Sequence, residues 1–409
     1  MLPNLKEAGK AVARSVLRRA VYGDVFRIYA RGGTSPEPGP KLRIAVCHLI
    51  PFLGDAVMLF PLLDALREEN PKAEISCFVA GAGSMVELHP GIDHVYVLTR
   101  KPGWGRKLAP VDYVFDIWRW WHRELRGLQF DVCVVPRGGV DPFHSAHLAW
   151  LLGGRERVGY SNELEPDIQE HTLYPGPLLT KEVRQRNSLH EVTRGEEILK
   201  LAGLLESSID LDQPVASMVG IARSEEGRQF VAGLPDLRQP YGIVSPGASI
   251  GRKRWPDERF SSVARQEIVA RGWLPVFVGG PDAGESCDAI AAMLGGPYLN
   301  LTERTNFQQL AAVCAGAQCF IGNDSGTGHV AAACGVRTLM VTSFARNSST
   351  IVHASPDRTR FLGPYVELVQ PLEQIPPCVE GCIANEAHCV LQVQVDEVQQ
   401  ALQDLIQRI

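Results

Sequence analysis

Short, fully apolar runs alternate with longer amphipathic stretches along most of this chain. Residues 42–48 form the first such run, and the longer stretch 56–69 that follows predicts a helix. Further apolar runs at 74–80, 94–98 and 132–136 predict strands. A second series opens with a strand at 241–245. It continues with a helix over 256–271, a strand at 274–278, helices over 283–293 and 307–315, a strand at 318–321, a helix over 328–334 and a strand at 338–342. Apolar strands separated by amphipathic helices predict parallel sheets covered on both faces. A helix over 195–201 and turn-rich stretches at 211–214 and 233–240 join the two series. The last segment, 396–409, carries a stripe of Val398, Leu402, Leu405 and Ile409, with Asp396 placed to cap it. A terminal helix of this kind is expected to pack back across the junction between the halves.

The pattern therefore predicts an α/β protein of two doubly wound, Rossmann-like domains facing a central cleft. The divisions fall at 1–41 for an N-terminal arm and linker, 42–220 and 221–395 for the two domains, and 396–409 for the final helix. Open parallel sheets bind ligands beyond the carboxyl ends of their strands. The loops after 42–48, 241–245, 274–278 and 318–321 are the places to look for chemistry.

Composition narrows the class. With 409 residues, 45% apolar and 21% charged, the chain is of ordinary globular composition and too long for one core. No run approaches the ~18–20 apolar residues of a membrane span. The opening residues lack an apolar stretch and cleavage site of the secretory kind, and ten scattered cysteines suit a reducing compartment, so a cytoplasmic protein is expected. A net charge of −5 argues against a nucleic-acid partner. The charge is unevenly spread: residues 1–41 hold eight basic and three acidic side chains. Lys6, Lys10, Arg14 and Arg18 recur every four residues, with Val12 and Val16 on another side. Such a basic amphipathic helix suits either an anionic membrane surface or packing as a solvated helix on the body of the protein.

Three loops carry candidate chemistry. In the first, His48 to Asp55, Asp55 is placed either to cap the following helix or to act as general base on a substrate hydroxyl. In the second, Ser245 to Pro256, small residues let backbone amides approach an anion while Lys253 adds a point charge; a solvated surface loop is the alternative. In the third, Gly322 to His329, a helix N-terminus, Gly-freed amides and the hydroxyls of Ser325 and Thr327 together suit a diphosphate. There Asp324 is placed to orient a sugar hydroxyl, and His329 either donates to a phosphate or is structural.

Taken in order, Leu53-Gly54-Asp55, Pro246-Gly247-Ala248-Ser249 with Lys253-Arg254-Trp255-Pro256, Gly279-Gly280-Pro281, and Gly322-Asn323-Asp324-Ser325-Gly326 with His329 resemble glycosyltransferase family 9. Its best-known members are the ADP-heptose:lipopolysaccharide heptosyltransferases. The resemblance runs from about residue 42 to the C-terminus. It implies a GT-B fold, an acceptor bound by the N-terminal domain, and a nucleotide-sugar bound by the C-terminal one. It further implies Asp55 as base, Lys253 and Ser249 on the donor diphosphate, Gly279 beside the donor, and Asp324, Ser325, Gly326 and His329 lining the sugar and phosphate site. The implied reaction is an inverting transfer of heptose from ADP-heptose to a lipopolysaccharide core or related lipid-linked or glycan acceptor, with no cofactor and no catalytic metal. Another nucleotide-sugar, or a protein acceptor, is the nearest alternative. Thr327-Gly328 and the segment 100–126, with Trp118, Trp120 and Trp121, depart from the family pattern.

A nicotinamide-dependent dehydrogenase would share two doubly wound halves, but neither His48–Asp55 nor Ser245–Arg252 supplies its Gly-x-Gly-x-x-Gly turn. A two-lobed solute-binding protein would share the cleft but needs an export signal. The single Asp-x-Asp triplet, Asp210-Leu211-Asp212, reads as turn chemistry. Cys378-x3-Cys382-x6-Cys389 with His388 offers a tetrahedral ligand set, though not at the pair-of-pairs spacing of a zinc ribbon. Arg137, Arg100, Lys101 and Arg106 are placed either to meet an acidic acceptor or to be solvated.

Overall fold

The computed structural model describes residues 41–99, 109–137, 143–161, 178–184, 189–350, 355–378 and 384–408. The basic arm of residues 1–40, together with Arg100, Lys101, Arg106 and Cys382, lies outside these. Among the described residues no helix is long and apolar enough to cross a membrane.

The first sheet is built by β1 (Arg43–His48), helix α1 (Leu53–Glu69), β2 (Glu74–Ala80), β3 (His94–Leu98), α2 (Ala109–Trp120), β4 (Val132–Val134), α3 (Ser145–Leu152), β5 (Glu156–Tyr160) and β6 (Lys181–Val183). Its strand order is β3-β2-β1-β4-β5-β6, all parallel. Helices α4 (Glu191–Leu201), α5 (Ala216–Ala222) and α6 (Glu225–Ala232) then lead to β7 (Tyr241–Ser245). The second half runs α7 (Asp257–Glu267), β8 (Leu274–Phe277), α8 (Gly284–Leu294), β9 (Leu299–Asn300), α9 (Phe307–Ala315), β10 (Cys319–Asn323), α10 (Gly326–Ala333), β11 (Thr338–Val341), α11 (Pro356–Thr359), β12 (Val366–Val369) and α12 (Val395–Gln407). Its sheet repeats the same winding in the order β12-β11-β10-β7-β8-β9, again all parallel.

Strand alternation decides which side chains meet. Ile44 and Val46 of β1 join an apolar cluster that also holds Leu59 and Leu63 of α1 and reaches Ile243 and Val330 of the second half. Ala45 and Cys47, one residue out of phase, face the opposite side with Phe78, Trp120 and Leu148. On the outer face of the second sheet Val244 packs with Trp255, Phe260 and Leu339. The described cysteines outside the Cys378–Cys389 segment are small core residues, and burial pushes their thiols up: Cys133, Cys319 and Cys334 to about 12.

Several boundaries differ from the expected ones. Helix α1 begins at Leu53, with Phe52 at its N-cap and no side-chain cap, so Asp55 lies inside the first turn and does not cap it. Helix α12 is capped by Gln394 in a reciprocal box with Glu397, and Asp396 lies in its first turn. Its stripe of Val398, Leu402 and Leu405 is buried with Phe260, Leu339 and Val369, so it covers the second sheet and does not bridge the halves. Strands β5 and β6 and helices α2 and α3 add to the elements read from periodicity. Asp210 does form a turn, its Oδ1 accepting from the Asp212 amide at 2.9 Å.

Candidate active site

In both sheets the strand order reverses at one point, between β1 and β4 and between β7 and β10. The connections leaving such neighbouring strands go to opposite faces, which opens a crevice at their carboxyl ends. Each crevice holds one ion pair.

At the first crevice Asp55, two residues into α1, pairs with Arg137, three residues beyond β4. Both side chains are nearly out of solvent, at 13% and 7% exposure, so water screens the pair little. His48, the last residue of β1, is buried beside them. Loss of solvent, and then the Arg137 guanidinium, push its pKa down to about 3, so the imidazole is neutral. Among the described residues its Nδ1 has no hydrogen-bond partner. A small pocket opens here, lined by His48, Asp55, Met58, Arg137 and Glu191. Arg137 is thus bound to Asp55 and does not stand as a separate solvated charge.

At the second crevice Lys253 Nζ meets Asp324 Oδ2 at 2.6 Å. The loop carrying Lys253 is clamped at both ends by one side chain. Asn323, fully buried at the end of β10, donates from Nδ2 to the Pro246 carbonyl at 2.6 Å, and its Oδ1 accepts from the Trp255 amide at 3.0 Å. The loop is therefore a formed cradle and not the solvated loop of the alternative reading. Trp255 anchors it further, its indole buried and donating to the Val393 carbonyl at 3.0 Å. Ser249 stands exposed within this loop. Gly279 follows β8, and a methyl there would lie 2.5 Å from the Ala283 Cβ, so the close approach requires glycine.

Ser325 takes the N-cap position of α10, and its hydroxyl lies 2.9 Å from that of Thr327, which in turn lies 2.7 Å from Ser245 Oγ. The three hydroxyls form a short chain at a helix N-terminus, where backbone amides are unpaired and the local potential is positive. His329 lies one turn in, 4% exposed, with its ring edge-on to Phe361 at 4.6 Å. Burial pushes its pKa down to about 4, so it too is neutral. Its Nδ1 has no hydrogen-bond partner among the described residues.

The two crevices are brought together by α1 and α10. A methyl on Gly54 would stand 2.7 Å from His329 Cδ2, and one on Gly326 2.6 Å from Leu53 Cβ. Only hydrogen at both positions lets the helix starts touch. Of the expected residues, Gly326 and His329 thus meet α1 at Leu53 and Gly54, next in the chain to Asp55, and Lys253, Asp324 and Ser325 surround the second crevice. Sequence reading missed His48, Thr327 as a bridge to Ser245, and the Asn323 clamp. It also left Arg137 without a partner. The signal for His48, Asn323 and Arg137 was a place at or just past a strand end, which requires the strand order to interpret, and Thr327 follows in the first turn of α10.

Two parallel six-stranded sheets, each with its polar residues gathered at the switch point, define a GT-B transferase fold. The chain belongs to glycosyltransferase family 9 (heptosyltransferase), whose sequence profile it matches over residues 118–361. It is 34% identical to lipopolysaccharide heptosyltransferase 3 of Escherichia coli over 298 residues, covering 71% of this chain and 79% of that protein. A glycosyl transferase family 9 structure from Veillonella parvula superposes with a TM-score of 0.64 at 21% identity, over 91% of this chain and 99% of that one. The E. coli heptosyltransferase WaaC with ADP gives 0.61 at 17% identity, over 89% and 100%. These structural likenesses bear on the fold.

Proposed function

We propose that this protein transfers heptose from ADP-heptose, with inversion, to a hydroxyl of a lipopolysaccharide core or a related lipid-linked glycan. The reading is carried by the paired crevices: a carboxylate held by a buried guanidinium faces, across the α1–α10 contact, a lysine and a helix N-terminus suited to a diphosphate. The family, and the relative named for lipopolysaccharide, support the substrate class.

In this mechanism Asp55 takes the proton of the acceptor hydroxyl as its oxygen attacks the anomeric carbon. The bond from that carbon to the diphosphate breaks on the opposite face, and ADP departs. Arg137 fixes the direction of the Asp55 carboxylate. Lys253, the first amides of α10, and the Ser325 and Thr327 hydroxyls take up the charge that develops on the leaving group. With those positive groups in place the step needs no metal. Gly279 and Ser249 lie along the donor side, and Asp324, besides holding Lys253, is placed to orient a sugar hydroxyl. The neutral His329 contributes a ring nitrogen and no charge. We further propose that the basic arm of residues 1–41 contacts the cytoplasmic face of the inner membrane, where it would meet a lipid-linked acceptor.

Removing a positioned general base costs roughly 10²–10⁴-fold in rate. Asp55→Asn is therefore expected to lower kcat by that range while calorimetry finds ADP-heptose binding unchanged; substantial retained turnover refutes the base assignment. A release assay with ADP-, GDP- and UDP-sugars tests the donor. Preference for any donor but ADP-heptose overturns that part.

A further inference from the structure

Outside the crevices, one side-chain cluster has no part in this chemistry. Cys378 and Cys389 are buried, at 2% and 1% exposure, and His388 is half-buried, all in the segment between β12 and α12. The His388 Nδ1 lies 3.8 Å from Cys378 Sγ and 3.4 Å from Cys389 Sγ, and the three ligand atoms all fall within 4.8 Å of one another. A tetrahedral ion at ~2.3 Å from sulfur and ~2.0–2.1 Å from nitrogen holds such atoms about 3.6–3.8 Å apart. The observed His-to-Cys separations are close to what an ion requires. The Ile375 amide also donates to Cys389 Sγ at 3.5 Å, a contact that favours thiolate.

We propose that Cys378, His388 and Cys389 bind a structural transition-metal ion of the zinc or ferrous class. Two sulfurs and an imidazole select such ions over calcium or magnesium, which take oxygen. Binding releases the thiol protons of both cysteines, and the site closes the segment into a loop. Cys382 of the same motif lies outside the described residues, and three ligands are assigned.

The position gives the ion a structural task. The bound segment backs the Lys253 loop: Arg252 Nη1 donates to the Ala384 carbonyl at 3.2 Å and Arg259 Nη1 to the Leu391 carbonyl at 2.8 Å. Trp255 reaches Val393 from the same side. An ion fixing Cys389 fixes the wall against which that loop rests.

The test uses full-length protein without a polyhistidine tag, grown with added zinc and iron and passed through gel filtration in dilute chelator. Elemental analysis is expected to find about one equivalent of zinc or iron per chain, the stoichiometry of a single site. Cys378→Ser and Cys389→Ser should each lose it, whereas Cys77→Ala in β2 should keep it. Cobalt reconstitution of the wild type should give thiolate-to-cobalt charge-transfer absorption that Cys389→Ser lacks. Should a serine variant fail to fold, the wild-type metal content and cobalt spectrum still decide. Metal-free wild type, a Cys378–Cys389 disulfide by mass spectrometry, or full metal content in both serine variants overturns the assignment. None of these readouts uses transferase activity, so they stand apart from the proposed reaction.

Discussion

Gly54 is the position where fold and chemistry are most tightly joined. A methyl group there would stand 2.7 Å from His329 Cδ2 and 2.9 Å from Nε2, against ordinary contacts of ~3.5–4.0 Å. The imidazole has little room to retreat, because it is buried with Phe361 behind it at 4.6 Å. In Gly54→Ala the two helix starts must therefore separate by roughly 0.8–1.3 Å, the shortfall from ordinary contact. Overpacking of this kind costs about 1–3 kcal/mol, and alanine returns up to about 1 kcal/mol through helix propensity. The expected net loss is ~0–3 kcal/mol, which lowers Tm by no more than about 12 °C in a domain of this size. Activity should suffer more, because Asp55, the proposed base, is the next residue and a ~1 Å displacement of a reacting group costs on the order of 10²-fold in rate. The control is Gly220→Ala in α5, where a methyl meets nothing within 4 Å. It should raise stability by about 0.4–1 kcal/mol and leave turnover unchanged. Thermal unfolding and steady-state kinetics on both variants are the assays. A Gly54→Ala enzyme with wild-type kcat and Tm would refute the close approach of α1 and α10.

Two further expectations concern stability. His48, His147, His190 and His329 are buried, and loss of solvent lowers their pKa values to about 3, 3, 4 and 4 from 6.5. Their native forms stay neutral while the unfolded chain takes up protons, so stability is full above about pH 6.5 and falls steadily below it. Four such groups lose about 4 kcal/mol between pH 6.5 and 5.5, and a urea midpoint that stays flat over that range would contradict their burial. Arg358 is fully buried, with Nε and Nη2 at 2.8 and 2.5 Å from Glu191 Oε1, tying α11 to α4. Arg358→Met removes this buried guanidinium from the carboxylate and should cost ~3–5 kcal/mol, most of it recovered when Glu191→Leu is added; equal losses in urea for the single and double variants would rule this out.

Some of this protein was legible along the chain because the signals are local. Apolar runs of strand length between amphipathic stretches located most strands of both sheets, and glycine-rich loops after 241–245 and 318–321 marked the second crevice. Element ends were less legible. Gln394 with Glu397 out-competed Asp396 as the cap of α12, since periodicity fixes a helix face and not its first residue. The short strands β5 and β6 carry too few residues for alternation to be decisive.

What only the tertiary structure decided is which distant residues meet. Asp55 and Arg137 lie 82 positions apart, and Lys253 and Asp324 lie 71. Each pair is joined because parallel strands that are neighbours in space, β1 with β4 and β7 with β10, are not neighbours in sequence. The same holds for Gly54 and His329, whose contact depends on two helix starts from different sheets arriving at one point. Residue type and spacing reveal what a loop can do chemically. Pairing is fixed by strand order and by the packing of α1 on α10, and those follow from burying two apolar sheets together rather than from any local pattern.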